Sequence, residues 1–102
     1  MRSEDQPEVN TVRLQGRLIA KSEIRYTPAG IEVFEGVLGH DGEQEEAGVT
    51  RKLQIEVQLV SFGETAHRLN AEPIGKVLTV SGFLAPRYQR GKTLIVHIKE
   101  YI

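Results

Sequence analysis

A chain of 102 residues holds one domain and one modest core. Hydrophobic residues at 39% and charged residues at 26% place it among folded globular chains rather than disordered ones. The absence of cysteine excludes disulfides, thiolate metal sites and a cysteine nucleophile and suits a reducing cytoplasm, no apolar run approaches the ~20 residues that span a bilayer, and a net charge of −1 lacks the basic balance of many nucleic-acid binders.

Residues 1–9 are acidic and polar, unlike a secretory signal, and read as a flexible tail ahead of a single domain, residues 10–102. "TVRLQGRLIA" sets Val12, Leu14, Gly16 and Leu18 against Arg13, Gln15 and Arg17, the period-two pattern of a half-buried first strand. "TPAG" (27–30) suits a tight turn, and "IEVFEGVLGH" resumes extended structure, with a bend or bulge expected at Gly36 and Phe34 read as core. "DGEQEEAG" (41–48) reads as a polar hairpin loop that ends the second strand. The third strand, 50–60, alternates Leu53, Ile55, Val57 and Leu59 with Lys52, Gln54, Glu56 and Gln58. Residues 61–75 lose the alternation and have room for at most one short helical turn, around Glu64–Leu69. "KVLTVSGFLA" (76–85) and "TLIVHIKEYI" (93–102) supply the fourth and fifth strands.

Five short strands with an irregular segment between the third and fourth predict an all-β protein of the OB-fold class, a five-stranded, partly open Greek-key barrel. Gly16, Gly36 and Gly82 would let long strands coil round so small a barrel. A β-sandwich, the competing architecture, usually wants about seven strands.

Catalytic patterns are missing. His40, His67 and His97 are too widely spaced for a metal-ligand pair, no serine sits in a G-x-S-x-G elbow, and the acidic cluster lies in one predicted loop rather than in two contrasting environments. "RGKT" (90–93) ends like a phosphate-binding loop, but Pro86 stands where that motif needs glycine, and a strand rather than a helix follows. We therefore expect no enzyme activity, metal or cofactor.

The basic residues carry more information than the net charge. Between Lys76 and Lys99 the chain has five cations and no acid, whereas Asp41, Glu43, Glu45 and Glu46 crowd together. Single-stranded nucleic acid is gripped by cations that follow phosphates and by aromatic rings that stack on bases. "FLAPRYQRGKT" (83–93) brings Arg87, Tyr88, Arg90 and Lys92 into one loop between the last two strands. Arg13, Arg17, Lys21 and Arg25, with Tyr26, lie along and after the first strand, and Arg51 and Lys52 open the third.

"NTVRLQGRL" (10–18), "TPAGI" (27–31), "QEEAG" (44–48) with His40 and Arg51 about it, and "VSGFLA" (80–85) together resemble the primosomal replication protein N (PriB) family of bacteria, itself related to single-stranded-DNA-binding proteins. The resemblance runs from Asn10 to Ile102. It implies a non-enzymatic, cytoplasmic OB-fold homodimer that binds single-stranded DNA in replication restart and joins the PriA helicase and, in some bacteria, DnaT, with no membrane partner. It implies DNA contacts by Arg25 and Arg51 and by the basic loop holding Arg87, Arg90 and Lys92. Family members carry aromatics near the start of the third strand; Val49 and Gln54 stand there here, so binding would lean on charge, with Tyr88 and Tyr26 as the remaining rings. The acidic hairpin fits a DNA face poorly, and Glu43, Glu45 and Glu46 are candidate contacts to a basic protein partner. The other reading is a protein-interaction adaptor with weak or no DNA binding.

Overall fold

The structure, a computed structural model, describes residues 8–88 and 90–102; the expected tail at 1–9 lies outside the described residues up to Pro7. The alternation seen in the sequence becomes strand β1 (Val12–Lys21), with Leu18 buried and Arg13, Gln15 and Arg17 turned outward. A two-residue strand β2 (Arg25–Tyr26), absent from the sequence reading, forms because the turn at 27–30 closes tightly: Gly30 N–H donates to the Thr27 carbonyl at 2.8 Å, with Gly30 at φ 86. There follow β3 (Glu32–Glu46), β4 (Val49–Phe62), helix α1 (Glu64–Asn70), β5 (Val77–Pro86) and β6 (Leu94–Tyr101).

The sheet order is β1-β5-β6-β4-β3-β2, and β1 also pairs with β3, so the five long strands close on themselves as an OB-fold barrel. The barrel expected to be partly open is thus closed, through a narrow parallel seam in which Leu59 and Val60 of β4 face Val96 and His97 of β6. Even-numbered residues of β3 and odd-numbered residues of β4 point inward. Phe34, Leu38 and Leu59 meet Leu18, Leu78, Val80, Val96 and Ile98 there. Each such side chain contributes about 1.5–3 kcal/mol by leaving water. Strand crossings this tight need glycine: a Cβ on Gly16 would run into the Gly39 carbonyl oxygen, and one on Gly82 into the His97 carbonyl oxygen.

The short helical turn expected around Glu64–Leu69 is a helix of seven residues, too short to persist alone. Tertiary contacts hold it. Ala66 and Leu69 are buried against the end of the barrel. Asn70 Nδ2 donates to Glu32 at 2.8 Å, and His67 Nδ1 approaches the other oxygen of that carboxylate at 2.8 Å. These two partners, Asn70 first, hold the Glu32 carboxyl below the usual carboxylate range.

The polar loop expected at 41–48 is corrected. Strand β3 runs on to Glu46, β4 starts at Val49, and only Ala47 and Gly48 make the turn. Both have positive φ, 52° and 79°, as a two-residue hairpin of the right twist requires. The acids remain on a strand because the facing strand answers them: Glu43 lies opposite Lys52 in register, and Arg51 Nη1 is 3.1 Å from Glu46 Oε1. Strand β1 leaves β3 at Gly39, so beyond that point β3 and β4 pair with each other as a two-stranded ribbon standing clear of the barrel.

Candidate nucleic-acid interface

Because side chains alternate along a strand, the odd-numbered residues of β3 and the even-numbered residues of β4 form the outer face of the barrel. At its lower end Arg25 pairs across to Val33, which in turn lies opposite Phe62. Glu35 is the next outward residue of β3. Arg25 Nε donates to its Oε1 at 3.0 Å, and Nη1 of Arg87, from the β5–β6 loop, reaches Oε2. Strand β2 and the last loop therefore converge on one carboxylate. The Arg87 guanidinium also lies 5.4 Å from the centre of the Tyr88 ring. The loop itself is turned by the Gly91 N–H bonding the Tyr88 carbonyl at 2.9 Å. Arg90 and Lys92 are exposed in it.

The predicted rings Tyr26 and Tyr88 are open to solvent, with 60% and 69% of their surface exposed, as base stacking requires. The structure adds three rings that sequence reasoning missed. Phe62 is half exposed on the outer face, and Phe83 and His97 stack there with ring centroids 4.9 Å apart. A signal for Phe62 existed: it continues the even-numbered polar series Lys52, Gln54, Glu56, Gln58, so its parity placed it outside the barrel. Phe34, read as core, is fully buried.

Arg51 and Lys52 are not brought to this cluster. They stand on the ribbon, with Arg51 opposite Gln44, nine residues beyond Glu35 along β3; at ~3.3 Å per residue that is roughly 30 Å away. The outer face of the ribbon carries Asp41, Glu43, Glu45 and Glu56, with Gln54 and Lys52 among them. The acidic trio is split: Glu43 and Glu45 share this face, whereas Glu46 is on the opposite one, paired with Arg51. Val49 is exposed next to the turn, and Gln54 lies opposite Asp41, so neither offers a stacking surface. The outer face thus divides into a lower region of arginines and rings and an upper acidic one.

The histidines are separate. His40 Nδ1 lies 2.6 Å from the Gln15 carbonyl, His67 is at Glu32, and His97 Nε2 lies 3.3 Å from the Pro86 carbonyl. Among the described residues no three potential ligands gather round a metal-sized space.

A family model described as "another single-strand binding protein family" matches residues 10–100. The Replication restart protein PriB of Bordetella pertussis is 33% identical over 92 residues, spanning 90% of this chain and 86% of that one. The chain belongs to the PriB family of single-strand binding proteins. The Replication restart protein PriB of Neisseria gonorrhoeae is 37% identical over 95 residues, covering 90% of this chain and 94% of its own. Among solved structures, the PriB protein of Ralstonia solanacearum superposes with a TM-score of 0.84 at 28% identity, covering 93% of this chain and 98% of that one. The single-stranded DNA binding protein of Thermus aquaticus matches at a TM-score of 0.74 and 22% identity over 92% of this chain and 49% of that one, a likeness of fold alone.

Proposed function

We propose that this chain is a non-enzymatic, sequence-independent binder of single-stranded DNA acting in DNA replication restart, where it bridges the DNA and the PriA helicase as a cytoplasmic homodimer. The observation that carries the reading is the meeting of Arg25, from strand β2, and Arg87, from the β5–β6 loop, beside exposed rings on the outer face of an OB-fold barrel. The names of the PriB relatives support the process. Arg25, Arg87, Arg90 and Lys92 follow phosphates, and Tyr88, Tyr26 and Phe62 stack on bases. Arg51 and Lys52 contribute less, being about 30 Å up an acidic ribbon. That ribbon, through Glu43 and Glu45, faces a basic surface of a protein partner; PriA is the first candidate and DnaT the second.

The test is oligonucleotide binding by fluorescence polarisation across a salt series. A binder that neutralises Z phosphates of a single strand gives a log–log slope near −0.7Z. Replacing Arg87, Arg90 and Lys92 with alanine flattens the slope; an unchanged slope removes the loop from the interface. The second reading, an adaptor that holds protein rather than DNA, is favoured by the acidic upper face. Absence of binding at both low and physiological salt selects it.

A further inference from the structure

Among the described residues, Glu35 is the acid placed amid the cations of the proposed DNA surface, and charge alone would make it a defect there. Its side chain is only 13% exposed, whereas those of Arg25 and Arg87 are 49% and 41% exposed. The carboxylate is thus a covered floor from which two guanidiniums reach outward. It uses one oxygen for each arginine, and each arginine meets it through a single nitrogen: Nε of Arg25 and Nη1 of Arg87. A guanidinium has five N–H donors in a rigid fork, so both arginines keep donors for a second anion. Beside them is a cavity of about 270 Å³, lined by Lys21, Glu35, Gln58, Arg87 and Ile95 among others. Two of the three donors of the Lys21 ammonium are already given to the carbonyls of Asn70 and Glu72, at 3.0 and 2.6 Å.

We infer that Glu35 is a positioning residue for phosphate binding: it holds Arg25 and Arg87 side by side so that their outward N–H groups meet one stretch of nucleic-acid backbone. The inference rests on the single-stranded DNA reading above. The rival role for this carboxylate is that of a resident competitor, expelled when phosphate arrives. That would strand a largely covered charge without its two partners, which costs more than an exposed phosphate contact returns. Phosphate therefore adds to the pair rather than replacing its floor. Two long side chains held in place beforehand no longer lose their rotamer freedom on binding. The repulsion that Glu35 exerts on the phosphate is that of one charge behind two opposite ones, weakened further by salt.

The two roles differ in the sign of one measurement. In Glu35→Gln the single remaining oxygen serves one arginine, and the amide N–H₂ turns donor to donor against the other. We expect labelled oligothymidine to bind this variant about three- to tenfold more weakly, although the chain has become more positive by one charge. In an Arg25→Ala/Arg87→Ala background the same change does not weaken binding. Tighter or unchanged binding by Glu35→Gln in the native chain overturns the positioning role. So does an equal loss in both backgrounds, the mark of a general structural effect. If Glu35→Gln does not fold, Arg25→Lys tests the same point at constant charge: one ammonium lacks the fixed second set of donors, so binding weakens, and native affinity overturns the proposal. Failure of the native chain itself to bind oligothymidine overturns the DNA reading and Glu35's role with it, a result distinct from all the others.

Discussion

Phe83 and His97 lie nearly flat against each other on the outer face, their rings 16° from parallel, one on β5 and the other opposite it on β6. The same histidine reaches the carbonyl of Pro86, the residue from which the basic loop departs. The pair therefore anchors the base of that loop as well as stiffening the sheet. His97→Ala should destabilise the domain by about 1 kcal/mol through loss of the stacked pair. Urea unfolding measures this, and a variant as stable as the native chain would show that the stacking contributes nothing.

Arg51 and Lys52 test where the DNA surface ends. Arg51 is ion-paired to Glu46, and both residues stand on a ribbon rich in acid. Replacing both with alanine should leave the salt slope of oligonucleotide binding nearly unchanged. Replacing Arg90 and Lys92 should reduce its magnitude by about 0.7 for each phosphate no longer neutralised. A larger effect from the ribbon pair would extend the interface up β4.

Ala47 occupies a left-handed conformation, φ 52, at the first position of the two-residue turn. An L-residue with a Cβ is disfavoured there by about 1–2 kcal/mol, and asparagine tolerates it better. Ala47→Asn should steady the ribbon. Because the ribbon can open without the barrel, the readout is amide hydrogen exchange at Gln44 and Arg51, the facing pair whose N–H groups point across the ribbon. Protection there should rise about fivefold, the equivalent of roughly 1 kcal/mol, while the global melting temperature moves little.

Gly82 of β5 lies close against β6, where an added Cβ would meet the His97 carbonyl oxygen. The obstacle is backbone, which cannot rotate aside. Gly82→Ala should cost about 3 kcal/mol or more in chemical denaturation; a loss below about 1 kcal/mol would mean that the strands separate easily there.

Glu32 ties β3 to α1 through Asn70 and His67, and its pKa is lowered from 4.5 by those partners. A carboxylate whose pKa is lower in the folded chain stabilises it above the unfolded value, and that contribution is lost as pH falls through the folded one. The native protein should therefore lose stability below about pH 4.5 more steeply than Glu32→Gln does. Melting temperatures of both proteins, followed from neutral pH into acid, decide it. Parallel curves would show that the helix does not depend on this charge.

The ribbon shows why some features are legible in the sequence and others are not. Alternation in "TRKLQIEVQLV" placed Leu53, Ile55, Val57 and Leu59 on one face correctly, because side-chain parity is local to the strand. The acids at 41–46 read as a loop because four carboxylates and two glycines between positions 41 and 48 oppose strand propensity. What kept them extended was a facing strand with Lys52 and Arg51 in register, information held several residues further along the chain.

Local pattern and composition were thus enough for the succession of strands, the turn at 27–30, the glycines at the crossings, the basic loop between the last two strands and the lack of a catalytic constellation in the sequence. Each depends on neighbouring residues or on residue content. Three-dimensional closure was needed to establish that Arg25 and Arg87 share Glu35, that Phe62, Phe83 and His97 are on the outer face near them, and that Arg51 stands far from that cluster. Those relations follow from barrel closure and strand register, which set residues distant in sequence side by side and separate charges that composition alone would pool.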